Sequence, residues 1–203
     1  MNLPNKITIG RLILSFIVLI LLLMPWYSLG IEWPEYLVNN VLISSQYIVA
    51  GILFAVAAFT DFLDGYLARK LNQVTDFGKV ADAIADKALV NGVLIILACN
   101  TADLNVIVPV VIITRDIIVD SLKMLSGNKG KVVAASKLGK LKTICMLLGI
   151  TLIFFKNIPF EFIDLPVADF FIILGTIFSV VSACQYYYNI KDLLFEKERK
   201  SKK

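Results

Sequence analysis

Long apolar runs separated by short polar breaks make up most of this chain. Runs of about 18 or more largely uncharged apolar residues are long enough to cross a bilayer as helices. The pattern predicts six such helices, at residues 5–24, 43–70, 79–99, 104–126, 137–156 and 166–194. The breaks between them, which contain prolines, asparagines and charged residues, lie at 25–40, 72–78, 100–105 and 156–166. We therefore expect an all-α integral membrane protein with six transmembrane helices.

Composition strengthens this expectation. Hydrophobic residues make up 58% of the 203 residues, whereas soluble domains have roughly 45–50%. The first apolar run, 7–24, lacks a small-residue cleavage site and is followed by further apolar runs. It therefore predicts a retained span rather than a signal peptide. The sequence shows no internal repeat, linker or soluble domain, so residues 1–203 are expected to form a single transmembrane domain.

The positions of the charges predict an orientation, because lysine and arginine are found preferentially on the cytoplasmic side. With the N-terminus inside, 18 of the 20 cationic residues fall on the inner side. Lys156 then lies in an outer loop and Arg115 inside the fourth span. The outer loops carry acidic residues instead, at Glu32, Glu35, Asp103, Glu161 and Asp164. Both termini are therefore predicted to be cytoplasmic, which fits an even number of spans.

Two residue types limit the chemistry that the chain can perform. The three cysteines are odd in number and have no metal-ligand spacing, which favours plain apolar packing. The chain has no histidine, which is the commonest general base and transition-metal ligand. Proton transfer and metal binding would therefore fall to carboxylates.

Four aspartates form two helical pairs around the second polar break. Asp61 and Asp64 are three residues apart, and Asp82 and Asp86 are four apart, so each pair shares one helix face. The break at 70–77 would let the two pairs face each other. A purely solvated or ion-paired role explains the second pair passably, since acids are favourable near a helix N-terminus. It explains the first pair badly, because anions are disfavoured in the last turns of a helix.

Four converging anions at a lipid boundary would repel one another without a counter-charge. Two divalent cations balance four carboxylates, and an all-oxygen set of ligands suits Mg²⁺ or Mn²⁺. Two such ions can hold a phosphate during a displacement. Gly65 and Gly78 would let a ligand or the neighbouring helix approach closely.

The complete pattern, Asp61-x2-Asp64-Gly65-x2-Ala-Arg69-x8-Gly78-x3-Asp82-x3-Asp86, resembles the signature of the CDP-alcohol phosphotransferase family at every defining position. The resemblance implies that Asp61, Asp64 and Asp82 ligate the metals. It implies that Asp86 completes the second metal site and acts as general base toward the incoming alcohol. The positions that it implies for the cytidine nucleotide and its phosphates are Gly65, Arg69 and Thr75.

The first eleven residues are similar to the start of bacterial phosphatidylglycerophosphate synthases, a group within that family. There the segment packs by the nucleotide, which makes Asn5 and Thr8 candidate contacts. An ordinary helix start, with Asn5 as cap and Pro4 before it, explains the same residues equally well.

A second group of charges points to the acceptor. A charge pair such as Arg115-Asp116 inside an apolar span is costly and usually functional, and arginine suits bidentate contact with phosphate. The start of the fifth helix carries three lysines, and a lysine-rich helix N-terminus makes an anion pocket. A phosphorylated acceptor such as glycerol 3-phosphate needs such a pocket. The candidate acceptor-binding residues are Arg115, Lys123, Lys137, Lys140 and Lys142.

The chain departs from the synthases at three places, where it has Ala83, Asp116 and Lys123 instead of their usual proline, glutamate and arginine. The last two lie in the expected acceptor pocket, so they put the identity of the acceptor in doubt more than the chemistry.

The resemblance implies transfer of a phosphatidyl group from CDP-diacylglycerol to glycerol 3-phosphate, with release of CMP. It also implies a homodimer in the bacterial cytoplasmic membrane with its active site facing the cytoplasm; no nucleic-acid partner is expected. Two alternatives stay open. One is the same chemistry with inositol phosphate or serine as acceptor, and the other is a membrane carrier with buried acidic residues.

Overall fold

The computed structural model describes residues 3–38, 41–70, 75–101, 104–128 and 136–201. Within these residues the chain is mostly helical and has six α-helices. The prediction of six helices is therefore confirmed. Their bounds are α1 Leu3–Leu23, α2 Ser45–Lys70, α3 Asp76–Asn100, α4 Ile107–Asn128, α5 Lys137–Phe154 and α6 Val167–Ser201.

The connection from α1 to α2 has structure that the hydropathy pattern did not predict. A 3₁₀ turn at Trp26–Leu29 is followed by an antiparallel hairpin of β1 (Glu35–Val38) and β2 (Val41–Ser44). The expected start of the second helix at residue 43 was therefore wrong. In β2, Ile43 is buried and its neighbour Leu42 is exposed, which is the alternation of a strand. Such a short apolar segment is ambiguous between helix and strand from sequence alone.

The helices form two groups. Helix α1 packs along both α2 and α3, whereas α2 and α3 touch each other little. In the second group α6 packs against α4 and α5, and α2 with α5 and α3 with α4 join the two groups. A large apolar cluster joins the helices, with Phe54 of α2 against Phe154 of α5 at a ring-centroid distance of 5.7 Å. A smaller one, of Val119, Tyr186 and Ile190, lies between α4 and α6.

Glycines allow neighbouring helices to pack closely. A Cβ on Gly149 of α5 would lie 2.8 Å from the Ile172 side chain and 3.1 Å from its backbone nitrogen on α6. Small residues commonly permit such contact between membrane helices.

The described residues include three helical segments that are long and apolar enough to cross a membrane: Asn5–Leu23, Ser45–Leu63 and Val167–Lys191. All six helices also expose large apolar side chains on their outer surfaces. Those of the remaining three include Ile84 on α3, Ile117 on α4 and Ile144 on α5. Exposed apolar surface of this extent is typical of a membrane protein.

Candidate active site

Three helices meet at a carboxylate cluster. Asp61 of α2 and Asp82 of α3 both form ion pairs with the guanidinium of Arg11 on α1, each through its Oδ1 and a different terminal nitrogen. One of these nitrogens also donates to the backbone oxygen of Asp82, at 3.3 Å. The structure thus brings carboxylates of the two aspartate pairs within reach of one cationic group. We call Asp61, Asp82 and Arg11 the carboxylate cluster.

Arg11 is a residue that the sequence analysis missed, since it counted only as one cation on the inner side. It is buried, at 3% exposure, and follows buried Thr8 by three residues on the same helix face. The rule that singled out Arg115, a charge inside an apolar helix, applies equally to Arg11. That rule could have found it.

Asp86 lies one helical turn after Asp82 on α3 and is partly buried. It experiences the charges of Arg11 and Asp82 on one side and of Lys142 and Asp116 on the other. Asp86 therefore stands between the carboxylate cluster and a second charged group.

The predicted nucleotide contacts meet where α1 and α3 begin. Thr75 caps α3 by accepting a hydrogen bond from the Gly78 nitrogen at 3.0 Å, and its hydroxyl donates to Asn5 Oδ1 at 2.9 Å. A Cβ on Gly78 would lie only 2.9 Å from Asn5 Oδ1, so a larger residue there would displace the Asn5 side chain. The alternative role of Asn5 as helix cap is wrong, because α1 already begins at Leu3 and the Asn5 side chain reaches α3.

Three further predicted site residues lie on α2. The α2 backbone carries Asp64, Gly65 and Arg69 in its last two turns. Gly65 is partly exposed, whereas the side chains of Asp64 and Arg69 lie outside the described residues. Their predicted roles stay predictions.

The second charged group, which we call the basic cluster, consists of Arg115, Asp116 and Lys142. Asp116 Oδ1 accepts from Lys142 Nζ at 2.6 Å and from a terminal nitrogen of Arg115 at 2.9 Å. The Arg115 Nε donates to the Ser179 backbone oxygen at 2.9 Å, and the other terminal nitrogen donates to Ser182 Oγ at 2.6 Å. Arg115 thereby connects α4 to α6.

The remaining predicted acceptor residues are exposed. Lys123 Nζ lies 3.7 Å from Asp120 Oδ1, and Asp120 also pairs with Lys87 of α3. Lys137 and Lys140 lie in the first turn of α5, where Ser136 caps the helix by accepting from the Gly139 nitrogen at 3.1 Å. Of the five predicted residues, the structure brings Arg115 and Lys142 together and leaves three lysines at the surface.

The two clusters have opposite net charge. In the carboxylate cluster two carboxylates face one guanidinium, which leaves a formal net charge of −1. In the basic cluster two cations face one carboxylate, which leaves +1. One cluster thus attracts cations and the other attracts anions, with Asp86 between them.

The carboxylate cluster fits divalent cations in its chemistry. Carboxylate oxygens are the ligands that hard divalent ions prefer, and Arg11 shows that a positive charge is held between Asp61 and Asp82. Within the described side chains, no three acidic residues converge closely enough to hold a metal ion. Asp64, which belongs to the predicted set, lies outside those side chains.

The comparison with known proteins shows the family to which the chain belongs. The family model of the CDP-alcohol phosphatidyltransferases matches residues 1–181. Relatives from three bacteria are each named CDP-diacylglycerol–glycerol-3-phosphate 3-phosphatidyltransferase. The Bacillus subtilis protein is 40% identical over 187 residues, which cover 92% of this chain and 93% of that protein. The Rickettsia typhi protein is 32% identical, with 92% and 99% covered. The Mycoplasma genitalium protein is 38% identical, with 73% and 63% covered.

The family match spans nearly the whole chain and includes all of the aspartate pattern, and the Bacillus relative aligns over almost its full length. The chain belongs to the CDP-alcohol phosphatidyltransferase family.

Proposed function

We propose that this protein transfers the phosphatidyl group of CDP-diacylglycerol to glycerol 3-phosphate, forming phosphatidylglycerol phosphate and releasing CMP. The observation that carries the proposal is the pair of oppositely charged clusters on either side of Asp86. A net negative cluster suits the cations that accompany a diphosphate. A net positive cluster suits the phosphate of the acceptor, which an uncharged alcohol would not need. The names of the relatives support the same reaction.

Dependence on divalent cations is a general property of this family. Asp61, Asp64, Asp82 and Asp86 would hold two such ions, Mg²⁺ or Mn²⁺. When bound, the ions would neutralise the diphosphate and would stabilise the attacking and leaving oxygens.

Asp86 is the proposed general base. It takes the proton from the acceptor hydroxyl, whose oxygen forms a bond to the lipid-linked phosphorus while the bond from that phosphorus to CMP breaks. Its place between the clusters supports this role, since the hydroxyl must reach the phosphorus from the acceptor side. The aspartate motif offers no serine, cysteine or histidine as covalent nucleophile, so the transfer is a single displacement.

The other site residues bind and orient the two substrates. On the nucleotide side the residues are Asn5, Thr8, Gly65, Arg69 and Thr75. The hydrogen bond between Asn5 and Thr75 supports this, because it joins two of these residues across helices α1 and α3. On the acceptor side the residues are Arg115, Lys123, Lys137, Lys140 and Lys142. Lys142 has the strongest structural support, since it is buried beside Asp116 and influences Asp86.

The proposed setting is the bacterial cytoplasmic membrane, with residues 1–203 as one domain of six spans, both termini cytoplasmic and the active site facing the cytoplasm. Exposed isoleucines on all six helices support six spans, and the distribution of lysines and arginines supports the orientation. The proposed homodimer rests on the family resemblance.

The carrier alternative is less well supported by where the acids lie. Asp61 lies in the second half of α2 and Asp82 in the first third of α3, so the carboxylate cluster lies toward the end of the bundle where these two helices are connected. A transport site would be expected near the bilayer centre.

The test is CMP release from CDP-diacylglycerol by the purified protein in detergent with Mn²⁺ or Mg²⁺, across a panel of acceptors. Glycerol 3-phosphate should support release, and Asp86→Asn should abolish it. Asp120→Asn is the matched control, because Asp120 is an aspartate of the neighbouring helix α4 that pairs with lysines outside both clusters. If serine or inositol phosphate supports CMP release instead, the family assignment stands and the proposed acceptor is wrong. Metal binding without CMP release from any acceptor would favour the carrier.

A further inference from the structure

Arg11 occupies an unusual position among the buried charges. Its side chain is 1% exposed, and its two terminal nitrogens are given to carboxylates on two different helices. Its Nε is buried and has no hydrogen-bond partner among the described residues. A buried donor without a partner is costly. The guanidinium therefore pairs with both carboxylates at the cost of a hydrogen bond from Nε.

The packing shows what this placement does. Helices α2 and α3 touch each other little and are held together through α1. Asp61 and Asp82 would repel each other across this junction, and Arg11 supplies the counter-charge that lets them converge. It is thus the polar bridge between the two helices that carry the aspartate pattern.

We infer that Arg11 is a built-in counter-ion of the carboxylate cluster, which metal ions displace and which then donates to the diphosphate of the nucleotide. The inference rests on the proposed function, because it takes Asp61 and Asp82 as metal ligands. The oxygens that Arg11 contacts are those that a divalent cation would take, so guanidinium and metal compete for them.

A displaced Arg11 needs a new anionic partner, since a buried, unpaired charge is strongly unfavourable. The diphosphate supplies one, and the planar guanidinium fork matches phosphate oxygens. Asn5 and Thr8 precede Arg11 at intervals of three residues on α1, so the three lie near one another on that helix. Metal ions and nucleotide therefore bind interdependently: the metal releases Arg11, and the nucleotide accepts it.

Mn²⁺ titrations of the purified full chain in detergent, with free Mn²⁺ followed by its EPR signal, test this without any turnover. Each titration is run with and without CDP, and Mn²⁺ binding by CDP alone is measured in protein-free buffer and subtracted. In the unmodified protein CDP should tighten Mn²⁺ binding. In Arg11→Gln, binding without CDP should be tighter by about fivefold or more, the lower end of typical coupling between sites. The tightening by CDP should shrink by a similar factor.

Lys87→Gln is the matched control. It removes the same charge from the residue next to Asp86, but Lys87 pairs with Asp120 and not with the carboxylate cluster. The Mn²⁺ affinity of the Lys87→Gln variant, and the factor by which CDP tightens it, should stay within about twofold of the values for the unmodified protein. This is expected for a charge that solvent partly screens.

Thermal stability supplies a second readout that a merely structural role would not produce. In EDTA, Arg11→Gln should unfold at a lower temperature than the unmodified protein, because the carboxylates lose their counter-ion. Saturating Mn²⁺ should recover most of the loss by taking the place of the guanidinium. If Arg11→Gln fails to fold, Arg11→Lys is used instead. It keeps the charge but loses the fork that spans both carboxylates, so Mn²⁺ binding should again tighten, by a smaller factor.

The outcomes separate the inference from the proposed function. If the unmodified protein binds no Mn²⁺ with or without CDP, the proposed metal site is wrong and the inference falls with it. If the unmodified protein binds Mn²⁺ and releases CMP, but the Arg11 variants bind Mn²⁺ equally or more weakly, the function stands and Arg11 is only structural.

Discussion

Arg11 and Arg115 are both arginines inside apolar helices, and both contact aspartate, but their surroundings differ in two respects. Arg115 uses all three of its donor nitrogens, two of them on Ser179 and Ser182 of α6. Arg11 gives both terminal nitrogens to carboxylates and leaves Nε without a partner among the described residues. The Arg115 region has more cations than anions, and the Arg11 region has more anions than cations.

The two arginines differ in how their guanidinium groups are held. Saturated hydrogen bonding to α6 and Asp116 fixes the Arg115 guanidinium in one place. Arg11 bonds only to groups of the aspartate motif among the described residues, so its position depends on those carboxylates. The sign of the surplus charge then indicates which ligand each region attracts.

The largest effect is expected at the residue between the two regions. Asp86→Asn should lower kcat for CMP release by at least about 100-fold, since general-base catalysis contributes 10²–10⁴. The measurement is steady-state CMP release at saturating glycerol 3-phosphate, with Asp120→Asn as control. If Asp86→Asn keeps more than a tenth of the activity, Asp86 is not the general base.

A large loss of stability is expected when the basic cluster loses its only described carboxylate. Asp116→Asn removes the carboxylate that pairs with both Arg115 and Lys142, which should lower the free energy of unfolding by about 3–5 kcal/mol. Thermal unfolding in detergent measures it, in EDTA and in Mn²⁺. The loss should be the same in both, unlike that of Arg11→Gln; recovery by Mn²⁺ would mean that the two regions are not distinct.

A smaller effect is expected from weakening the surplus positive charge. Lys142→Gln should raise KM for glycerol 3-phosphate about tenfold, as for one charge-assisted hydrogen bond, with kcat much less affected. Initial rates over a range of acceptor concentrations measure it. Lys137→Gln, on the exposed first turn of the same helix, should change KM less. A larger change in KM for Lys137→Gln than for Lys142→Gln would indicate that the surface lysines bind the acceptor instead.

The smallest effects concern two helix caps, one in each region. Thr75→Val and Ser136→Ala each remove a capping hydroxyl, so each should lower the free energy of unfolding by about 1 kcal/mol. Only Thr75 also bonds Asn5, so only its loss should weaken CDP binding, measured by competition with CDP-diacylglycerol. Equal CDP binding by both variants would limit Thr75 to a structural role.

Much of the fold could be predicted because apolar runs long enough to span a membrane leave few alternatives to helices. The predicted fifth helix, 137–156, and the observed Lys137–Phe154 begin at the same residue. The hairpin at 35–44 could not be predicted, since four-residue apolar strands have no length or period that excludes a helix. Similarly, the aspartate spacings are local, so sequence predicts which carboxylates share a helix face but not what faces them.

The sequence by itself determined the helical membrane architecture, the aspartate pattern and the family, because these depend on hydropathy and on residues at most a few turns apart. Only the tertiary structure decided that Arg11 meets Asp61 and Asp82, fifty and seventy-one positions along the chain. It also decided that Arg115 is bound to α6, sixty-four and sixty-seven positions away. The physical reason is that a buried charge takes its partner from whichever helix packs beside it, and that packing depends on side-chain shape across the whole bundle.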